Sequence, residues 1–139
     1  MSADFFLDTN VIVYAFDRSD PAKQEIATRI LRNDNWQISW QVIQEFANVA
    51  RHRFAKPMKA GDLSDYIDLV LWPRCTVNPS DALYRNALLL SEQSQYRFYD
   101  SLLVAAALSS GSEYLLSEDL QHGREFGSLR IENPFRSMD

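Results

Sequence analysis

Segments with the pattern of β-strands alternate along this chain with segments that have the pattern of α-helices. The strand segments are short and apolar, whereas apolar residues recur at helical spacing in the others. Strand patterns occupy the first half of residues 5–14 and residues 36–40, 76–77, 114–117 and 129–131, and helical patterns occupy residues 21–32, 42–50, 63–71, 81–90 and 102–108. This alternation predicts an α/β fold with a central, mostly parallel sheet flanked by helices. No linker-like segment interrupts it, so we expect a single domain over residues 1–139.

The composition narrows the class of protein. A net charge of −5 disfavours nucleic-acid binding through overall charge, so any such binding needs a local basic patch. Cys75 is the only cysteine, which excludes an internal disulfide bond and fits a reducing cytoplasm. The longest apolar run, residues 102–108, is far too short to span a membrane, and the acidic start at Asp4 does not resemble a secretory signal. We therefore expect a cytoplasmic location and no membrane partner.

Asp8 is a carboxylate placed at the end of the first apolar strand pattern. The carboxyl ends of parallel strands are where ligands bind in open α/β sheets. A carboxylate within an apolar element costs several kcal/mol unless it is paired or coordinates a cation. Asp8 therefore needs a partner, although capping of a helix that begins at Asn10 would explain it equally well.

Three further carboxylates interrupt apolar patterns: Glu45, Asp100 and Asp119. Taken singly, they fit a half-exposed helix position, a helix N-terminus and a turn. If all of them converge with Asp8 at one edge of the sheet, they would repel one another unless a cation lies between them. Ligation by oxygen alone selects Mg²⁺ or Mn²⁺, ions that support phosphodiester hydrolysis.

A basic segment contains Arg51, His52, Arg53, Lys56 and Lys59 and no acidic residue. These side chains could contact RNA phosphates. Basic residues that complement the dipole at the end of a helix are an equally good explanation.

Two other patterns have structural explanations. Asp62, Asp65 and Asp68 recur every three residues and are expected to form a solvated helix face. Trp36 and Trp40 lie on one face of a predicted strand and are expected in the core.

Four motifs in order resemble those of PIN-domain ribonucleases, and the likeness covers essentially the whole chain. They are LDTNVIVY at residues 7–14, QEFANV at 44–49, YDSLLVAAA at 99–107 and LLSEDL at 115–120, and IENPF at 131–135 resembles the usual final strand and tail. By its length the chain is most similar to the toxin of a VapBC-type toxin–antitoxin pair. Ser117 stands where threonine is more usual, and the hydroxyl is retained.

The resemblance implies a three-layer PIN-like fold and a Mg²⁺-dependent endoribonuclease that cuts RNA, often tRNA or rRNA, with Mn²⁺ as a substitute ion. It also implies a homodimer and a cognate antitoxin. Carried over by position, the metal-binding and catalytic residues would be Asp8, Glu45, Asp100 and Asp119, supported by hydrogen bonds from Thr9, Asn10 and Ser117. The segments 22–31 and 63–71 contain more apolar residues than packing against one side of a sheet requires. Such an excess also favours a dimer.

Two alternatives belong to other functional classes. One is a catalytically silent PIN-like module that binds RNA or protein, which the presence of all the acidic positions disfavours. The other is an aspartyl-phosphate phosphatase with Asp8 as the nucleophile. That class needs a second aspartate two residues later, where this chain has Asn10.

Overall fold

The computed structural model describes residues 5–136, so residues 1–4 and 137–139 of the predicted domain lie outside the described part. The strands are β1 (Phe5–Leu7), β2 (Trp36–Ser39), β3 (Cys75–Val77), β4 (Tyr114–Leu116), β5 (Glu125–Phe126) and β6 (Leu129–Glu132). The α-helices are α1 (Thr9–Tyr14), α2 (Pro21–Leu31), α3 (Trp40–His52), α4 (Ala60–Tyr66), α5 (Asp81–Ser94) and α6 (Phe98–Ser110). A π-helical turn (Ile67–Leu71) and a 3₁₀ turn (Trp72–Arg74) follow α4.

The sheet has the strand order β3-β2-β1-β4-β6-β5, and its first five strands in that order pair in parallel. β5 pairs antiparallel with β6 at the edge. From β1 the chain builds outward through β2 and β3, and then returns to place β4 on the other side of β1. The strand order therefore reverses between β1 and β4, and such a reversal opens a crevice at the carboxyl ends of the strands. The predicted α/β fold with a mostly parallel sheet is confirmed.

The most apolar helix, α6, forms the centre of the core. It packs against β2, β3 and β4 and is covered by α5. Residues 101–107 are all buried, as a helix that is apolar on every side requires, and Leu108 is the first to reach solvent. The helix ends at Gly111, whose φ of +78° is a conformation that glycine adopts without strain.

The prediction for Trp40 was wrong. β2 ends at Ser39, and Trp40 is the first residue of α3, where it is partly exposed rather than buried with Trp36. All four residues of β2 are buried because neighbouring elements cover both faces of this internal strand, so its alternating pattern does not mark an exposed face. The amide of Gln37 is satisfied internally, since its Nε2 donates to Ser112 Oγ at 2.8 Å.

Other elements differ from the sequence patterns in extent. The predicted helix over 63–71 is α4 followed by the π-helical turn, and α5 continues past Leu90 to Ser94, where Gln95 ends it with a φ of +69°. The short strand β5 had no sequence signal.

The acidic stripe of Asp62, Asp65 and Asp68 is exposed, as expected. Among the described residues, no helix is both long and apolar enough to cross a membrane.

Candidate active site

The register of the two central strands brings Asp8 and Ser117 together. Leu7, the last residue of β1, pairs with Leu116, the last residue of β4. The next residues on the two strands are Asp8 and Ser117, and the Asp8 amide donates to the Leu116 carbonyl at 3.0 Å. The two side chains meet in the crevice at the reversal of strand order, where Ser117 Oγ donates to Asp8 Oδ2 at 2.7 Å.

Asp8 also caps α1, so the two explanations for this residue are compatible. Its Oδ1 accepts from the Thr9 amide at 2.7 Å, which leaves Oδ2 directed to Ser117. Burial is the main influence on the carboxyl and raises the pKa of Asp8 to about 6. The two hydrogen bonds oppose this rise, whereas the charges of Glu45 and Asp119 add to it. Asp8 is therefore a desolvated carboxylate in a negative surrounding.

Asn10 connects Asp8 with Asp119. Its Nδ2 donates to Asp119 Oδ2 at 3.2 Å and lies 3.5 Å from Asp8 Oδ2. Ser117 Oγ accepts from the amides of Asp119 and Leu120, both at 3.2 Å, and this turns the chain sharply after β4. The supporting residues that the resemblance implied thus contact the acidic side chains directly.

Glu45 and Asp100 complete the group from α3 and α6. Thr9 Oγ1 donates to Glu45 Oε1 at 3.0 Å. Burial of its carboxyl raises the pKa of Glu45, and the charge of Asp100 adds to the rise. Asp100 lies in the first turn of α6, where burial and the charge of Asp119 raise its pKa and Arg97 lowers it. Each of the four predicted acids therefore interacts electrostatically with others of the group, a crowding that a cation would relieve.

The donor set suits a hard cation. Within residues 5–136, no three His, Cys, Asp or Glu side chains are close enough to enclose a metal ion by themselves. Mg²⁺ commonly retains several water molecules and is held by one or two carboxylates, so it does not need such an enclosure. Carboxylate oxygens fit Mg²⁺ or Mn²⁺ better than zinc, which prefers thiolate and imidazole ligands. The residues present therefore fit the ion that the resemblance implied.

Sequence reasoning missed three residues beside this group. Glu118 lies between Ser117 and Asp119, and its carboxylate accepts from Tyr14 Oη at 2.6 Å and forms an ion pair with Lys23. Burial alone would raise the pKa of Glu118, but the hydrogen bonds from Lys23 and Tyr14 lower it. Tyr14 lies in the first motif and Glu118 in the fourth, but the sequence gives no signal of their contact with each other or with Lys23, because the partners are about a hundred residues apart in the chain.

The basic segment begins in the last turn of α3 and continues through the loop that follows, and only part of it lines a cavity. Arg53 and Lys56 line an open cavity of about 740 Å³ with Val13 and Phe16, which brings them to the C-terminal side of α1. The guanidinium of Arg51, in the last turn of α3, donates to the Met58 carbonyl of the following loop at 2.9 Å. Lys59 is exposed at the N-terminus of α4. The segment is thus separate from the acidic group, which lies at the N-terminal side of α1.

The fold and this acidic group together define an α/β domain with a candidate metal site at the reversal of strand order. The chain matches the PIN domain family over residues 5–124, which is most of its length. It therefore belongs to the PIN domain family. No curated protein shows significant sequence similarity to it.

Solved structures with the same fold include several toxin–antitoxin proteins. A toxin–antitoxin complex from Klebsiella pneumoniae is 16% identical with a TM-score of 0.69, over 94% of this chain and 98% of that one. FitAcB from Neisseria gonorrhoeae is 16% identical with a TM-score of 0.64, over 94% and 98%. VapC20 from Mycobacterium tuberculosis, described as a sarcin–ricin loop cleaving toxin, is 18% identical with a TM-score of 0.62, over 84% and 92%. At these identities the likeness establishes the fold.

Proposed function

We propose that this protein is a Mg²⁺-dependent endoribonuclease that acts as the toxin of a type II toxin–antitoxin pair. The observation that carries the proposal is that Thr9 and Asn10 link Asp8 by hydrogen bonds to Glu45 and Asp119 at the carboxyl ends of the central strands. Asp100, in the first turn of α6, lies near enough to raise the pKa of Glu45. Four mutually repelling carboxylates destabilise the metal-free fold. A bound cation would offset this repulsion, which explains why the four carboxylates lie together. The proposed substrate is tRNA or rRNA, whose cleavage would inhibit translation.

In the proposed mechanism these four side chains would surround the ion, one or two of them bound to it directly and the others through the water molecules that it retains. Mn²⁺ could replace Mg²⁺. When bound, the ion supplies a Lewis acid for the phosphodiester and favours ionisation of an attacking water molecule. The chain itself orients the ligands: the Ser117 hydroxyl holds Asp8, the Thr9 hydroxyl holds Glu45 and the Asn10 amide holds Asp119. In-line attack by water would leave a 5′-phosphate and a 3′-hydroxyl.

Asp100→Asn tests the proposal. It retains the shape and the position in the first turn of α6 while it removes one ligand charge, so Mg²⁺-dependent cleavage should fall by about 100-fold or more. RNA cleavage is measured with Mg²⁺ and with chelator. Asp68→Asn, on an exposed helix face, is the matched control and should cleave like the parent.

A fully active Asp100→Asn variant would remove this residue from the site and contradict the assignment. The same assay separates the alternatives. A silent RNA- or protein-binding module would cleave no RNA in any form. A phosphatase would hydrolyse phosphate monoesters instead. That class uses an aspartate as acid and base two residues after the nucleophile, whereas this chain has Asn10, whose amide donates to Asp119.

The proposed protein partners are a cognate antitoxin and a second copy of the chain. Structures with this fold include toxin–antitoxin complexes, which supports an antitoxin partner. A dimer was expected from apolar residues within 22–31 and 63–71: those of the first range largely pack inward, whereas Leu69 in the second is 77% exposed. Further exposed apolar side chains lie on α5 and on the 3₁₀ turn, among them Leu88 at 56%, Leu89 at 57% and Trp72 at 57%.

We expect the protein without antitoxin to be a dimer at micromolar concentration, because such apolar surface favours association with a matching copy. Light scattering should give twice the mass of the chain. A monomeric mass would contradict the expectation.

The proposed RNA contacts outside the acidic group are Arg51, Arg53, Lys56 and Lys59. Arg53→Glu with Lys56→Glu should weaken RNA binding and reduce its dependence on salt, because fewer counterions are released. Binding is measured at several salt concentrations in the Asp100→Asn background, so that cleavage does not interfere. Arg32→Glu, an exposed charge at the end of α2, is the control. Unchanged RNA binding by the double variant would show that these basic residues do not contact RNA and only complement the dipole at the end of the helix.

A further inference from the structure

We propose that Lys23 and Tyr14 are positioning residues of the metal site, which act by holding Glu118 and thereby fix the backbone that carries Asp119. This inference rests on the proposed function. It adds a cluster of three residues, Tyr14, Lys23 and Glu118, to the acidic group.

The contacts of this cluster restrain the Glu118 carboxylate at both oxygens. Tyr14 Oη donates to Oε1 at 2.6 Å, and Lys23 Nζ donates to Oε2. The Lys23 ammonium also lies 5.0 Å from the ring centroid of Tyr14 and 5.9 Å from that of Phe135. The side chains of Lys23 and Glu118 are only 15% and 21% exposed, so solvent screens this pair far less than a surface pair.

The position of Asp119 depends on its neighbours in the chain. The side-chain hydrogen bond described for its carboxylate comes from Asn10, and the residue itself is exposed. On one side its backbone is held by Ser117 Oγ, which accepts from the Asp119 amide. On the other, Glu118 is anchored by its side chain to α1 and α2, while its amide lies 3.4 Å from Asn10 Oδ1. Release of Glu118 would therefore loosen Asp119.

The charge of Lys23 has a second effect on the site. Glu118 is adjacent in sequence to Asp119, so without its partner it would add a fifth negative charge beside four others. A half-buried carboxylate that has lost its partner is destabilising, so the segment that carries Glu118 would rearrange toward solvent. Lys23 thus keeps Glu118, and with it the backbone of Asp119, in place.

The chain supplies a matched control on the same helix. Arg29 of α2 pairs with Glu25, and both side chains are 71% exposed. Loss of this pair should have little effect, because exposed ion pairs contribute little and this one lies apart from Asp119. Lys23→Met and Arg29→Met each remove one positive charge from α2, so a difference between them reports the contacts of Lys23 rather than the loss of a charge.

The experiment measures Mg²⁺ binding by calorimetry below the melting temperature, with the metal-free melting curve recorded beside it. Lys23→Met should weaken Mg²⁺ binding by about tenfold or more, as loss of a residue that orients a ligand does, and Arg29→Met should bind like the parent. Tyr14→Phe removes only the hydroxyl, and we expect it to weaken binding by a smaller factor. Lys23→Arg retains the charge and should restore most of the affinity.

A purely structural role predicts a lower melting temperature with unchanged affinity in the folded protein. That result for both Lys23→Met and Tyr14→Phe would overturn the inference while the proposed function stands. If Lys23→Met does not fold, Tyr14→Phe decides between the two outcomes. A parent protein that binds no Mg²⁺ would overturn the proposed function, and this inference with it.

Discussion

Replacement of Asp8 by asparagine is expected to abolish Mg²⁺-dependent RNA cleavage and to make the metal-free protein more stable at neutral pH. The carboxylate lies at the centre of the acidic group, next to Ser117, Thr9 and Asn10. Loss of a ligand there should reduce cleavage by about 100-fold or more. The gain in stability arises because the charged Asp8 carboxylate is desolvated in the folded protein and is repelled by Glu45 and Asp119.

The pH dependence of stability follows from the pKa of Asp8. Its pKa is about 6 in the folded protein, against an ordinary value of 3.8, so the folded state binds the proton more tightly. The stabilisation from protonation is fully present below about pH 4 and is lost as the pH rises through 6. The difference in pKa corresponds to a free energy on the order of 3 kcal/mol. The stability of Asp8→Asn should therefore exceed that of the parent most at pH 7 to 8 and least near pH 4.

Urea unfolding of the metal-free parent and of Asp8→Asn at several pH values measures this difference. Asp65→Asn, on the exposed acidic stripe, is the control and should show little change at any pH. A variant less stable than the parent at pH 8 would show that the hydrogen bonds of the carboxylate outweigh its desolvation.

Replacement of Ser117 by alanine is expected to destabilise the protein by roughly 1–3 kcal/mol, because the hydroxyl is fully buried and makes several hydrogen bonds. It donates to Asp8 and accepts from the amides of Asp119 and Leu120, and alanine leaves all three groups without this partner. The pKa of Asp8 should also rise further, since the Ser117 hydrogen bond lowers it.

Ser117→Thr keeps the hydroxyl and is the matched comparison. It should retain both the stability of the parent protein and the pKa of Asp8, provided that the added methyl group is accommodated. Chemical denaturation measures the first quantity, and carbonyl NMR titration of the metal-free protein measures the second. An alanine variant as stable as the parent would contradict the importance of this hydroxyl.

Local patterns were sufficient where a single element determines the outcome. The helix that begins at Pro21, the apolar helix over residues 102–108 and the apolar strand that ends before Asp8 all follow from residues adjacent in the chain. Such features depend on backbone preference and burial period, which a short window of sequence contains. The alternation of these elements also predicted the parallel sheet correctly.

Local patterns failed where a neighbour decides the environment of a residue. Trp40 alternates in sequence with Ile38, but the chain turns into a helix after Ser39 and leaves the tryptophan partly exposed. Likewise the apolar residues of α2 pack inward, and exposed apolar side chains lie on α5 and on the turns that follow α4. Which face is covered depends on packing between elements, and a window of sequence does not contain that information.

The sequence by itself determined which acidic residues interrupt apolar elements, and so selected Asp8, Glu45, Asp100 and Asp119 as candidates. Only the tertiary structure decided that they interact, because the order of strands is set by pairing between distant segments. The pairing of Leu7 with Leu116 places Ser117 beside Asp8, and it brings Glu118 within reach of Lys23. No pattern in the sequence marks that ion pair, since contact across about a hundred residues is a property of the folded chain alone.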